Sequence, residues 1–144
     1  MVFRRLRTPV ERSAAARLLR SGPCAFRAPA PAPTAPPAGE PEWSGLWNLT
    51  AEDGVALTAA AVTMRLSPRM TEIRAIAAPG SALWMRLVRE LANACRAQGD
   101  EWMVAGPGGS DLAALDLLRR TGFDEAPDLA LPGSGRVVWL ALPI

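Results

Sequence analysis

The chain has 144 residues, 49% of them hydrophobic, with 16 basic and 14 acidic side chains and a net charge of +2, which suits a single domain around one core. Every basic residue is arginine and histidine is absent. That excludes Ser-His-Asp and Cys-His catalysis, imidazole metal ligands, the Walker A lysine and Schiff-base chemistry, and no metal site is expected.

A chain without lysine but rich in Ala, Arg, Gly and Pro points to a GC-rich, bacterial coding sequence. Cys24 and Cys95 lie far apart and form no C-x-x-C pair. Free thiols and a cytoplasmic location are therefore expected, with Cys95 a small core residue on a helix. No apolar run is long enough for a signal peptide or a membrane span, so a soluble protein with no membrane partner is expected.

Residues 1–30 carry seven arginines and one acid, a net of +6, whereas the remainder carries nine arginines and 13 acids, a net of −4. An Arg-rich start can be a transit peptide or a nucleic-acid arm. Local structure explains it more simply, and nucleic acid is not an expected partner. "MVFRRLR" alternates as a first strand does. "TPVERSAAARLLRSG" reads as a helix, with Thr8 and Glu11 as a capping box, Pro9 at the first position and Gly22 beyond the last turn. Val10, Ala14 and Leu18 are its expected apolar face.

"PCAFRAPAPAPTAPPAGEPEW", residues 23–43, holds seven of the chain's 14 prolines. Missing amides and a fixed φ predict a Pro/Ala-rich loop over 23–43 with neither helix nor ladder. A ligand for a proline-binding domain is the other use of such a run, and a linker is the simpler one.

"SGLWNLTAEDGVALTAAAVTMRL" then predicts a hairpin, Leu46 to Thr50 and Val55 to Leu66, turning at Glu52-Asp53-Gly54. "TEIRAIAA" (71–78) is a third strand. After Pro79-Gly80, "SALWMRLVRELANACRAQG" is a helix with Leu83, Leu87, Leu91, Ala94 and Cys95 as its stripe and Gly99 as its stop. "EWMVAG" is a short buried strand. "AGPGGSD" lies where a phosphate loop would, but it matches neither G-x-G-x-x-G nor the P-loop, so it reads as a turn.

In "SDLAALDLLRRTGFDE", Ser110 is the expected N-cap, Asp111 favours the positive helix end, and Arg119 and Arg120 favour the negative one. Leu112, Ala114, Leu115, Leu117 and Leu118 make the apolar face, and Gly122 offers a left-handed stop on which Phe123 packs back. "APDLALPGSGRVVWLALPI" reads as a strand, a Pro-Gly-Ser-Gly turn and a last strand. Trp102 and Trp139 read as core. Trp43 and Trp47, beside the proline run, stay open between core and an exposed surface. The predicted order is β-α-loop-β-β-β-α-β-α-β-β, an α+β domain of 1–144 whose β-α-β-α passage requires parallel strands.

That order and one motif resemble the GNAT superfamily of acyl-CoA-dependent N-acyltransferases. The family's N-x-x-A-x-x-L-Y-x-x-x-G-F element is similar to D-L-A-A-L-D-L-L-R-R-T-G-F here. Asp111 stands for the Asn, Ala114, Leu117, Gly122 and Phe123 match, and Leu118 replaces the Tyr. "RLVRELANACRAQG" resembles the family's third helix. Specific matches lie within residues 71–123, and the proline run stands where the family has its second helix.

The resemblance implies a mixed, twisted sheet with flanking helices, and acetyl-CoA or another acyl-CoA as cofactor. Its acceptor would be an unidentified small-molecule or peptide amine, and a homodimer is compatible with it. It implies that pantetheine pairs with the backbone of Ala75, Ile76 and Ala77. The pyrophosphate would meet the helix start at Gly80, Ser81, Ala82, Leu83 and Trp84, with Asp111 and Ala114 near the mouth. Glu72 matches where many members place a carboxylate base, and Ser110 and Asp111 are weaker candidates. The family's R/Q-x-x-G-x-G/A loop falls on Pro79, Ala82 and Trp84. An indole there crowds the phosphate unless it turns into the core. Leu118 lacks the hydroxyl that protonates a leaving thiolate. These departures keep a second reading in view, a GNAT-fold module that binds a ligand or protein without chemistry. An unrelated α+β domain is the third.

Overall fold

The computed structural model describes residues 1–21, 26–27, 40–50, 54–107, 111–125 and 139–144. In chain order the elements are β1 (Val2–Arg5), α1 (Pro9–Ser21), β2 (Phe26–Arg27), β3 (Glu42–Thr50), β4 (Gly54–Ser67) and β5 (Met70–Ala77). They continue with α2 (Ser81–Ala97), β6 (Trp102–Ala105), α3 (Leu112–Thr121), β7 (Asp124–Glu125) and β8 (Leu140–Pro143). One eight-stranded mixed sheet runs β1-β3-β4-β5-β6-β8-β7, with β2 joined to β5 beside that path. β5 and β6 are parallel, and every other pairing is antiparallel.

Helices cover both faces of the sheet. Ala59, Ala61, Ile73 and Ile76 share a buried cluster with Trp84, Leu87 and Leu91 of α2 and Leu115 and Leu118 of α3. Ala60, Ala75 and Ala77 point the other way, toward Ala15 and Leu19 of α1. With both faces covered, β5 is buried almost without alternation, as a central strand is.

The capping box of α1 forms as expected. The Glu11 amide donates to Thr8 Oγ1 at 3.2 Å, and the Thr8 amide donates to Glu11 Oε1 at 3.1 Å. Its buried face differs from the predicted one. Val10 is 78% exposed, while Ala15 and Leu19 are buried. Ala14 and Leu18 are half-buried, with Leu18 packed beside the core, so the face in contact is rotated by one residue from the predicted one. On α2 the stripe is likewise wider than predicted, taking in Trp84, Val88 and Ala92.

At α3 the cap is Asp111, not Ser110: Asp111 Oδ1 accepts from the Ala114 amide at 3.2 Å. An ionised carboxylate is the stronger acceptor for that amide. Ser110 lies outside the described residues. The helix ends as its sequence predicts, with Gly122 at φ 111 and the Phe123 amide bonded to the Leu118 carbonyl at 3.0 Å.

The expected loop over 23–43 needs correction at both ends. Phe26 and Arg27 form a ladder with β5, and Glu42 and Trp43 open β3. Pro23 and Pro29 bracket a proline-free window, 24–28, in which backbone amides are present, and β3 starts directly after Pro41. Among the tryptophans, Trp47 is buried with Arg4 stacked 4.4 Å from its ring centroid, whereas Trp102 and Trp139 are only half-buried. The strand read at 126–131, the turn at 132–135 and the turn at 52–53 lie outside the described residues.

Candidate active site

β5 and β6 run side by side from Met70 opposite Trp102 to Ile73 opposite Ala105, and there the pairing stops. β6 ends, whereas β5 continues to Ala77. A bulge helps them part: Val62 pairs with Ala75 and Thr63 with Ile73, leaving Arg74 as the extra residue. α2 begins beyond the C-terminal end of β5 and α3 beyond that of β6, so both helix starts flank the gap. The carboxyl ends of parallel strands are where open α/β sheets gather their sites.

On one edge of the protruding part of β5, Ala75, Ile76 and Ala77 pair with Val62, Ala61 and Ala60 of β4. The opposite edge, which β6 has left, carries β2, with Phe26 opposite Ile76 and Arg27 opposite Ala75. Phe26 is 3% exposed and belongs to the same apolar cluster as Ile76, Trp84 and Leu118.

At the start of α2, Gly80 is the N-cap and brings no side-chain acceptor. Its φ of −177° is extended backbone open to any residue, and a Cβ built there meets nothing within 4 Å. Among the described residues neither conformation nor packing demands glycine at that position. Ser81 and Leu83 are half-buried and Ala82 is exposed. The Trp84 amide is engaged inside the helix, donating to the Gly80 carbonyl at 3.0 Å. The Trp84 side chain is turned away from the helix mouth into the core, fully buried, with no partner for its Nε1 among the described residues.

Glu72 lies on β5 one residue before the parting, opposite Met64 of β4 and Val104 of β6. It is 2% exposed and accepts from Arg74 Nη1 at 3.0 Å, a half-buried guanidinium. Burial raises its pKa above the usual carboxylate value, and the charge and hydrogen bond of Arg74 pull it partly back. A carboxylate in that balance is a better proton acceptor than one in water. Asp111 and Ala114 meet each other in the α3 cap, and Ala114 is buried. The structure thus gathers Ala75, Ile76, Ala77, Gly80 and Ser81 around the end of β5, with Glu72 further back along the strand. It draws the Trp84 ring out of that group.

A cavity of about 150 Å³ opens at the far end of β5 and α2, lined by residues that include Arg5, Glu42, Thr63, Arg65, Thr71 and Cys95. Below it Asp100 is buried, accepting from Thr71 Oγ1 at 2.8 Å and paired with Arg65 at 3.5 Å. Burial, the largest influence, and the nearby Asp100 carboxylate push the Cys95 thiol up to about 11, against a hydrogen bond with Thr71. It is a core thiol, as its helix position predicts, and Cys24 lies outside the described residues. Among the described residues no group of three or more His, Cys, Asp or Glu could hold a metal ion, and no helix is long and apolar enough to cross a membrane.

No protein-family model matches the chain, and no curated protein matches it. Solved structures do. A GNAT-family acetyltransferase from Desulfovibrio desulfuricans superposes with a TM-score of 0.68 at 17% identity, covering 99% of this chain and 98% of that one. The ribosomal-protein-S18-alanine N-acetyltransferase of Escherichia coli gives 0.63 at 21% identity over 99% and 93%. A Bacillus subtilis acetyltransferase in complex with CoA gives 0.55 at 22% identity over 72% and 77%.

The chain has the GNAT fold.

Against the GNAT pattern, two departures visible in the sequence acquire a physical meaning. The indole at position 84 is a core residue, so it does not crowd the helix mouth. Leu118, in place of the Tyr, is fully buried among apolar neighbours, where a hydroxyl would need a partner. Two residues at the site escaped the sequence reading, Phe26 and Arg74. Arg74 sits two places after Glu72 and carries the only charge in "IRAIAA", which is a usable signal. For Phe26 the signal is a buried-type aromatic in a proline-free window.

Proposed function

We propose that the protein is an acyl-CoA-dependent N-acyltransferase acting on an amine, with the end of β5 and the start of α2 as its cofactor cleft. The observation that carries this reading is the parting of the parallel strands β5 and β6 past Ile73 and Ala105, with the Gly80 start of α2 beside the gap. Glycine is itself a favoured N-cap, and here its missing Cβ leaves the backbone open to a ligand. The helix start beyond it offers backbone amides and a positive dipole end to a phosphate. Acyl-CoA, when bound, supplies an activated acyl group.

The chain's own residues do the rest. The backbone of β5 past Ile73 orients the cofactor arm. Glu72, its proton affinity raised by burial, takes the proton from the acceptor ammonium so that a neutral amine can attack. Arg74 holds that carboxylate in place at 3.0 Å. No hydroxyl stands at position 118, so the leaving thiolate departs without a tyrosine donor. A positioned acid is worth roughly a hundredfold or more, and slow turnover follows from its absence.

The test is an acetyl-CoA titration to millimolar concentration, followed by thermal unfolding. A ligand that binds only the folded state adds RT ln(1 + [L]/Kd), about 2.7 kcal/mol at 100 times Kd. Saturable stabilisation, with acceptor-dependent thiol release over a panel of amines, is the expected result. Stabilisation without release under any acceptor would favour the second reading, a binding module without chemistry. The buried Leu118 is the observation on that side.

A further inference from the structure

We infer that the chain carries its own occupant of the cofactor cleft: the two-residue strand β2 lies on the β5 edge that the acyl-CoA arm needs, so strand and cofactor exclude one another. This rests on the acyl-CoA reading above and adds a self-inhibiting contact to it.

Each strand of a sheet has two edges. On β5 one edge is taken by β4 as far as Ala77. The other is taken by β6 only as far as Ile73, and past the bulge at Arg74 it is taken by Phe26 and Arg27. Whatever pairs with the outward backbone groups of Ala75 and Ile76 must therefore enter where β2 now lies. An extended, amide-bearing cofactor arm and an extended peptide use the same hydrogen-bonding groups there, at the same spacing from β5 of about 4.8 Å. Sharing is excluded by distance alone.

The side chain reinforces the backbone. Phe26 is anchored in the cluster of Ile76, Trp84 and Leu118, filling apolar space between the parted strands and the two helices. Among the described residues the contact is small, two residue pairs, and the sequence places a proline at position 23 and another at position 29. Pro23 and Pro29 bring no backbone amides, so the sequence limits how long a ladder through this segment could be. Its energy lies in the range that a ligand can overcome, as a competing occupant must.

Where the binding-competent form is only a fraction of the population, apparent affinity falls by that fraction. A strand seated in nine molecules of ten weakens cofactor binding about tenfold by that relation, and its release restores the difference.

The experiment compares acetyl-CoA affinity of the wild-type chain with Phe26→Ala, which removes the anchor, and Arg27→Pro, which removes a backbone donor and leaves the anchor in place. Circular dichroism melts verify that each variant is folded. Hydrogen exchange across 26–27 and 74–77 is followed with and without cofactor. The expected result is a gain in affinity of about tenfold or more in both variants. In the wild-type chain, acetyl-CoA should raise exchange at 26–27 while 75–77 stays protected. Equal affinity in all three proteins would overturn the inference and leave the acyltransferase reading standing. Absence of binding in all three at millimolar acetyl-CoA would overturn that reading, and this inference with it.

Discussion

Trp84 gives the sharpest test of how the start of α2 is built. If the indole lined the helix mouth, trimming it would open the cleft and tighten acetyl-CoA binding. The structure puts it at 0% exposure in the main cluster, so trimming it should cost stability instead. Truncating a buried tryptophan to alanine costs about 3–5 kcal/mol in transfer and cavity terms. Trp84 starts with a handicap, because its Nε1 is buried without a partner among the described residues. An unmade hydrogen bond of that kind costs roughly 1–3 kcal/mol, and its removal offsets part of the loss.

The net for Trp84→Ala is then about 3 kcal/mol, the low end of the truncation range. Trp84→Phe keeps one ring, loses the unsatisfied donor and should cost about 1 kcal/mol. Trp84→Gly adds about 1 kcal/mol to the alanine value through lost helix propensity. In a domain of this size each kcal/mol moves Tm by about 3–4 °C, so the alanine variant should melt about 10 °C lower. Urea titration and thermal melts on the three variants give the order Phe, Ala, Gly. An alanine variant within about 1 kcal/mol of wild type, or a glycine variant that binds acetyl-CoA more tightly, would refute the packing argument.

Two further outcomes follow from single residues. Burial raises the Glu72 pKa above the ordinary 4.5, so the folded state holds that proton more firmly than the unfolded chain does. Its contribution to stability is then full below pH 4.5 and declines as pH rises through the folded-state pKa. Glu72→Gln should therefore gain on wild type as pH rises from 4 to 8 in urea titrations, while acyl transfer is lost; a difference moving the opposite way would contradict the assignment. Gly122 holds φ 111, and a Cβ added there would lie 3.2 Å from Leu142 Cδ1. Gly122→Ala should lower stability by about 1–2 kcal/mol, the cost of a left-handed non-glycine residue, and a neutral effect in denaturant melts would show that the α3 stop tolerates a side chain.

Much of the architecture was legible because it is written in local terms. The capping box of Thr8 and Glu11, the Gly122 stop and the 3.6-residue stripe of α2 each depend on residues within a turn or two of one another. A β-α-β-α passage also forces parallel strands, since two residues cannot bring a chain back to the same end of a sheet. The rotation of α1 by one residue was not legible, because Ala14 and Ala15, like Leu18 and Leu19, are identical pairs and only docking on β4 and β5 chooses within each. Nor could the cap at Asp111 be separated from Ser110, as both side chains can accept from a first-turn amide.

By itself the sequence determined the order of elements from β3 to α3, the absence of imidazole and lysine chemistry and, through the family resemblance, where a cofactor cleft is expected, between β5 and α2. Tertiary structure decided which groups occupy that cleft. It turned Trp84 inward, since an indole gains more from burial among Leu87, Leu91 and Phe26 than from water. It buried Glu72 beside Arg74, which gives a carboxylate its altered proton affinity, a property of surroundings that no spacing encodes. It also laid Phe26 and Arg27 against Ala75 and Ile76, a contact between segments about fifty residues apart in the chain. Pairing at such a distance depends on where β4 and β6 leave an edge uncovered, and that is fixed only when the whole sheet is assembled.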